Sequence, residues 1–256
     1  LKIVVCVKVV PDSAATVKVD SGEVNWGDAP LVINPWDEYA VEAAIQLAEA
    51  AGGETIALSL GDESAKEALK HALAMGCGSA ILIHDDVLKG IDTQGAAKTL
   101  AAAVKHIGDV DMVLFGKQAI DGDSGVTHVQ TARALGYPAV TFVAKAEVDG
   151  SALKAERVME EGRQVVEANL PIVLSIVKDF GEPRYPSFMG IRKASKAEIP
   201  VLTLAELGID APAAVVHWDA VINPPAREIK NEIISGGTPQ AMAKELVDKL
   251  IAEKVL

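Results

Sequence analysis

The chain opens on an unbroken apolar run, Ile3-Val4-Val5-Cys6-Val7, the pattern of a strand buried on both faces. Pro11-Asp12-Ser13 reads as a turn, and Ser21-Gly22-Glu23 marks a small excursion before Leu31-Val32-Ile33-Asn34-Pro35. Val41, Ala44, Ile45 and Ala48 then recur at helical spacing until Gly52-Gly53 stops them. Ile56 to Leu60 predicts a second strand, Gly61-Asp62-Glu63-Ser64 a turn, and Ala65, Ala68, Leu69 and Ala72 one stripe of a helix ending at Gly76. The sequence repeats this order with Ala80 to Ile83 as a strand, Ala97, Leu100, Ala101 and Val104 on a helix, and Met112 to Phe115 as a strand ending at Gly116. Such alternation predicts βαβ units and a parallel, helix-covered sheet.

Beyond a helix through Val129 to Leu135 the texture changes to strands: Ala139 to Val148, an Asp149-Gly150 turn, Leu153 to Met159, Glu161-Gly162, Gln164 to Glu167, and Ile172 to Val177. These predict an antiparallel appendage on the α/β body. Periodicity then fails from Asp179 to Pro200, where glycine, proline, aromatic and basic residues mix, as they do in long functional loops. Past Gly208, the linker-like Asp210-Ala211-Pro212-Ala213-Ala214 and Pro224-Pro225 lead to an amphipathic helix around Met242 to Ile251. The expected division is an α/β domain over 1–208, including a loop at 182–196, and a C-terminal arm over 209–256 that reaches a partner.

Composition narrows the function. The 256 residues carry 24 basic and 36 acidic side chains, a net charge of −12, which excludes the basic footprint of most duplex-binding proteins. No apolar run approaches the ~18 residues of a membrane span, and the start of the chain lacks a signal-peptide layout, so the expected location is cytoplasmic. Cys6 and Cys77 lie far apart and read as two reduced thiols.

In an open parallel sheet, ligands bind beyond the C-terminal strand ends, where helix N-termini offer unpaired N–H groups. Three segments fall there: Asn34-Pro35-Trp36-Asp37, Leu60-Gly61-Asp62, and Gly116-Lys117-Gln118-Ala119-Ile120-Asp121-Gly122-Asp123-Ser124-Gly125-Val126-Thr127. The third matches neither G-x-G-x-x-G nor G-x-x-x-x-G-K-[ST]. Its spacing leaves two readings open, a turn-rich loop with an Asp or Ser helix cap and a phosphate cradle. Asp121 and Asp123, with His128 nearby, read as caps or loop charges rather than a catalytic pair, and His71, His84, His106 and His217 read as surface side chains without metal-ligand spacing. No catalytic residue and no metal site is expected. The stretch from Glu182 to Lys193 offers Phe188, Met189 and Ile191 either as an exposed partner anchor or as core side chains beneath solvated cations.

Several of these motifs, in order, resemble the β subunits of electron transfer flavoproteins: Val5-Cys6-Val7-Lys8, Asn34-Pro35, Ala72-Leu73-Ala74-Met75-Gly76, Gly116 to Asp121, Glu160-Glu161-Gly162 to Leu170-Pro171, and Pro183-Arg184-Tyr185. The resemblance runs from Ile3 to about Gly208. It implies an adenine-nucleotide α-hydrolase-like (Rossmann-like) fold and a heterodimer with an α subunit that holds most of a redox-active FAD. It further implies an AMP in this subunit, surrounded by Cys6, Asn34, Pro35, Trp36, Asp37, Leu60 and the loop from Gly116 to Thr127. On this likeness Phe188 is the anchor of a recognition loop for an acyl-CoA or related dehydrogenase, flanked by Met189 and Ile191, and electrons continue to a membrane quinone oxidoreductase. Arg192, Lys193 and Lys196 would be steering charges on an acidic protein.

Bifurcating members of that family hold a second FAD in place of AMP and usually continue the Asp-Gly-Asp element into Gln-Val-Gly-Pro. Here Val126-Thr127-His128-Val129 follows instead, so AMP is expected. The Asp121-Gly122-Asp123 element and the long tail keep a bifurcating subunit as one alternative, and a stand-alone nucleotide-binding α/β protein is another.

Overall fold

The computed structural model describes residues 1–225 and 231–255. Its first βαβ units run β1 (Lys2–Cys6), β2 (Val9–Pro11), β3 (Lys18–Asp20), β4 (Glu23–Asn25), β5 (Leu31–Ile33), α1 (Pro35–Ala51), β6 (Glu54–Leu60), α2 (Lys66–Met75), β7 (Ser79–Ile83), α3 (Thr93–Ile107), β8 (Met112–Gly116) and α4 (Thr127–Leu135). There follow β9 (Ala139–Asp149), β10 (Ala152–Met159), β11 (Gly162–Asn169), β12 (Ile172–Ile176), α5 (Phe188–Ala194), β13 (Val201–Leu202), α6 (Leu204–Leu207) and α7 (Pro239–Ala252). The principal sheet has the order β11-β10-β9-β12-β8-β1-β6-β7-β13, and the hairpins β2-β5 and β3-β4 stand outside it.

Strand alternation sorts the core onto two faces. Ile3, Val5, Ala57, Leu82, Met112 and Leu114 meet α1 and α2 on one side, whereas Val4, Cys6, Leu58, Ile83, Val113 and Phe115 meet α3, α4 and α6 on the other. The expected α/β class with a parallel, helix-covered sheet is what the chain forms.

One strand was expected in the wrong company. Ile172–Ile176 pairs parallel with both β8 and β9 and lies within the parallel sheet, not in an antiparallel appendage. All five of its residues are buried, as a doubly covered strand requires, whereas β11 is mostly exposed. The antiparallel part is β9-β10-β11 alone, and it continues the same sheet. At the junction, register shifts between Leu174 and Ile176, Phe142 takes a φ of 60°, and its N–H donates to Ser175 Oγ at 3.0 Å.

The stretch from Asp179 to Pro200 is not wholly irregular either. It holds the end of a 3₁₀ turn (Lys178–Phe180) and the seven-residue α5, capped by Ser187, whose hydroxyl accepts the Gly190 N–H at 3.0 Å. Only Ala194 of that helix is buried, too little for a visible hydrophobic period.

Residues Leu1–Val221 form one compact unit and Ile222–Leu256 a second. Within the first, the Asp92 carboxylate caps α3 through Gly95 N–H and also accepts the Val215 and Val216 N–H groups at 2.8 and 3.0 Å. The second unit contains α7, with Leu246, Val247 and Ile251 exposed. The expected arm over 209–256 includes residues 226–230 and 256, which lie outside the described residues.

Candidate functional site

The C-terminal ends of β1, β6 and β8 lie side by side and bring Cys6, Leu60 and Gly116 to one edge. Asn34 joins that edge to the long loop after β8. It stands before Pro35 at the head of α1 yet makes no side-chain cap for its own helix. Instead its fully buried amide donates from Nδ2 to Gln118 O at 2.8 Å and accepts the Ile120 N–H on Oδ1 at 3.2 Å. One side chain thus pins the loop to the helix head across 84 and 86 positions of sequence.

Gly116 makes the close approach possible. A Cβ there would overlap the Asp37 carboxylate and stand 2.7 Å from the Trp36 carbonyl oxygen. The loop then folds on itself: Asp123 N–H donates to Ala119 O at 2.8 Å, Gln118 Nε2 donates to Asp123 Oδ1, and Asp123 and Gly125 take φ of 50° and 58°. Lys117 Nζ lies 5.2 Å from the Trp36 ring centre, a cation–π distance. Lys8 reaches Asp121 Oδ2 at 2.6 Å, while Asp121 Oδ1 is buried with no partner among the described residues.

The loop ends at α4 with Val126 in the N-cap position and no side-chain cap. The reading in which an Asp or Ser of this loop caps the helix is therefore overturned. Among the described residues no side chain caps the first turn, so its N–H groups and the positive end of its dipole face outward, which is the arrangement that takes anions.

Burial dominates the electrostatics. Asp37 is pushed up to about 7 by burial, despite the Lys8 N–H at 2.8 Å, the Asn34 and Gly116 contacts and the Lys8 charge, all of which favour its ionised form. Cys6, buried beside it, is raised well above the ordinary thiol value, first by burial and then by the Asp37 charge, which disfavours its thiolate. His128 is buried and held down to about 4 by burial, its ring tilted against Phe115 at 6.4 Å between centres. Of the histidines expected at the surface, His84 is half-buried with Nδ1 2.9 Å from Gly61 O, and His71 Nε2 lies 2.9 Å from Glu38 Oε1.

The residues expected to meet a partner occupy a different place, α5 on α2. Phe188 is 80% exposed, Met189 69% and Ile191 54%, and Arg192, Lys193 and Lys196 are exposed beside them. The reading in which Phe188 and Ile191 sit in the core is overturned. The opposite face holds Gly190, whose Cβ would overlap the Ala74 carbonyl oxygen, and buried Ala194.

Sequence reasoning missed four features of this region. Tyr185 is 95% exposed next to the same patch. Lys8 enters the crevice through its backbone N–H on Asp37 and its ammonium on Asp121, 29 and 113 positions away. Arg184 is clamped by Glu42 and Glu49, a long-range pairing with no signature in local spacing. A groove of about 1010 Å³ runs past Trp36, Lys117, Phe142, Arg163, Lys178 and Asp179, lined by five separate parts of the chain.

Comparison with known proteins gives this arrangement a family. Residues 27–207 match the model described as the electron transfer flavoprotein domain. The chain is 36% identical over 267 residues to the electron transfer flavoprotein subunit beta of Thermoanaerobacterium thermosaccharolyticum, and 35% identical over 273 residues to that of Megasphaera elsdenii. It is also 35% identical over 264 residues to the caffeyl-CoA reductase-Etf complex subunit CarD of Acetobacterium woodii, and all three alignments cover 100% of both chains.

Proposed function

The chain belongs to the electron transfer flavoprotein family as a β subunit, and from that premise we propose that it binds a structural AMP and docks the dehydrogenase that reduces its heterodimer. The family implies an α subunit as partner and flavin-based electron transfer. In our reading the FAD is held mainly by the α subunit and, when bound, supplies the redox chemistry. This chain contributes a scaffold, a nucleotide site and a docking helix.

The observation that carries the nucleotide assignment is the uncapped N-terminus of α4 at the end of a loop pinned by Asn34. A phosphate would take the N–H groups of the first turn of α4. Asp121 Oδ1, buried and without a partner among the described residues, would accept a hydroxyl or amine donor of the same ligand. The proposed nucleotide site comprises Cys6, Asn34 to Asp37, Leu60, and Gly116 to Thr127. Denaturing the co-expressed heterodimer and separating the released nucleotides tests this: one AMP per heterodimer supports it, and none refutes it.

The exposure of Phe188, Met189 and Ile191 beside Arg192, Lys193 and Lys196 supports docking by an apolar anchor ringed by steering charge. An acyl-CoA or related dehydrogenase is the donor we assign. The acceptor is a membrane quinone oxidoreductase; no helix among the described residues of this chain is itself long and apolar enough to cross a membrane. The proposed location is cytoplasmic, and the arm over 209–256 is assigned to the α subunit.

A second reading draws on the similarity to CarD and on Asp121-Gly122-Asp123, and makes the chain a bifurcating subunit with a second FAD in the crevice. The same nucleotide analysis separates the two.

A further inference from the structure

A helix of seven residues has too few internal hydrogen bonds to hold its own conformation, so the exposed face of α5 must be fixed from outside. Gly190 against Ala74 supplies one contact. The larger one precedes the helix. Arg184 donates through its backbone N–H and Nε to Glu42 Oε2 at 3.0 and 2.9 Å, and through Nη2 to Glu42 Oε1 at 3.1 Å. Its Nη1 and Nη2 also donate to Glu49 Oε1 and Oε2 at 2.9 and 3.2 Å.

Glu42 is a buried carboxylate on α1, and Gln46 Nε2 donates to its Oε1 at 2.8 Å. Burial alone would raise its pKa, but the hydrogen bonds from Arg184 and Gln46 outweigh that and hold it below the ordinary carboxylate range. The planar guanidinium fork meets both carboxylates at once, which a lysine, a single point charge, does not reproduce. The helix so gripped is the one whose head carries Asn34 and Asp37, so the crevice and the docking segment hang on one rigid element.

We propose that Arg184 is a positioning residue for partner recognition: its fork onto Glu42 and Glu49 locks the segment entering α5 to α1 and presents Phe188 in one preset orientation. The inference rests on the reading of α5 as the docking helix. An anchor ordered beforehand avoids the cost of ordering it at encounter. The effect therefore falls on capture of the partner, not on electron transfer within the docked pair.

The test uses the full heterodimer with Arg184→Lys, and with Arg184→Met combined with Glu42→Gln so that no charge is left buried and unpaired. Amide hydrogen exchange reads the segment 187–195, and steady-state reduction by a short-chain acyl-CoA dehydrogenase with butyryl-CoA reads docking, each with and without Phe188→Ala. Both variants are expected to speed exchange in that segment about tenfold with FAD content unchanged. They are also expected to raise the KM for the flavoprotein about tenfold at unaltered kcat, and to add nothing to Phe188→Ala.

Native-like exchange at 187–195 would overturn the proposal, as would full additivity with Phe188→Ala or a fall in kcat at unaltered KM. If Phe188→Ala alone leaves KM unchanged, the docking reading fails and the proposal with it. If Phe188→Ala raises KM and the Arg184 variants do not, only the positioning role fails.

Discussion

Asn34→Ala is the perturbation that bears most directly on the crevice. The native amide is fully buried and makes two hydrogen bonds, one to Gln118 O and one from Ile120 N–H, that join the head of α1 to the loop after β8. Truncation leaves a carbonyl and an N–H without their partner, each costing about 1–3 kcal/mol where water does not reach it. Both backbone groups lie in half-buried residues, so a total of roughly 2–3 kcal/mol is the reasonable expectation. In a protein of this size that lowers Tm by roughly 4–12 °C. The loop that carries Asp121 and leads into α4 would lose its tie to α1, so the variant heterodimer should also retain less than half of its nucleotide. Differential scanning calorimetry and nucleotide analysis of the same preparation read both effects. Unchanged Tm and full nucleotide occupancy would refute the claim that Asn34 builds the site.

Other expectations are independent of that one. Phe188→Ala should lower kcat/KM for dehydrogenase-driven reduction by about 30-fold, the equivalent of ~2 kcal/mol at an anchor, with FAD content intact; unchanged kinetics would remove the anchor assignment. Asp37 has its pKa raised from 3.8 to about 7, so the folded state holds the proton more tightly than the unfolded chain. Its contribution to stability is then fully present below pH 3.8 and lost as pH rises through 7. Asp37→Asn should therefore gain on the native protein between pH 5 and about pH 8 in urea unfolding, and a pH-independent difference would contradict the assignment. Truncation after Gly208 should abolish co-purification with the α subunit, and an intact heterodimer would refute the arm's role.

The parts of the fold legible in sequence are those with an uninterrupted local period. Ile3 to Val7, Ile56 to Leu60 and Met112 to Phe115 announce buried parallel strands because every residue but Ser59 is apolar, and Gly61 and Gly116 after the last two mark where the chain turns toward a helix. Ile172 to Ile176 carries the same signature but follows three hairpin strands, and neighbourhood in sequence outweighed its composition. The α5 helix was hidden because its inward face amounts to the half-buried Gly190 and the buried Ala194. In the crevice, the residue types at Asn34 and Gly116 to Thr127 were visible, but not that Asn34 spends its side chain on Gln118 and Ile120 rather than on α1. That choice, and the grip of Glu42 and Glu49 on Arg184, depend on pairings across more than 80 positions, which no local spacing encodes.

The most direct test of the account is the nucleotide and flavin content of this chain purified with its co-expressed α subunit, released by denaturation, separated by chromatography and quantified by absorbance. One FAD and one AMP per heterodimer is the predicted result. Two FAD and no AMP would contradict it and assign the crevice between α1 and α4 to a second flavin.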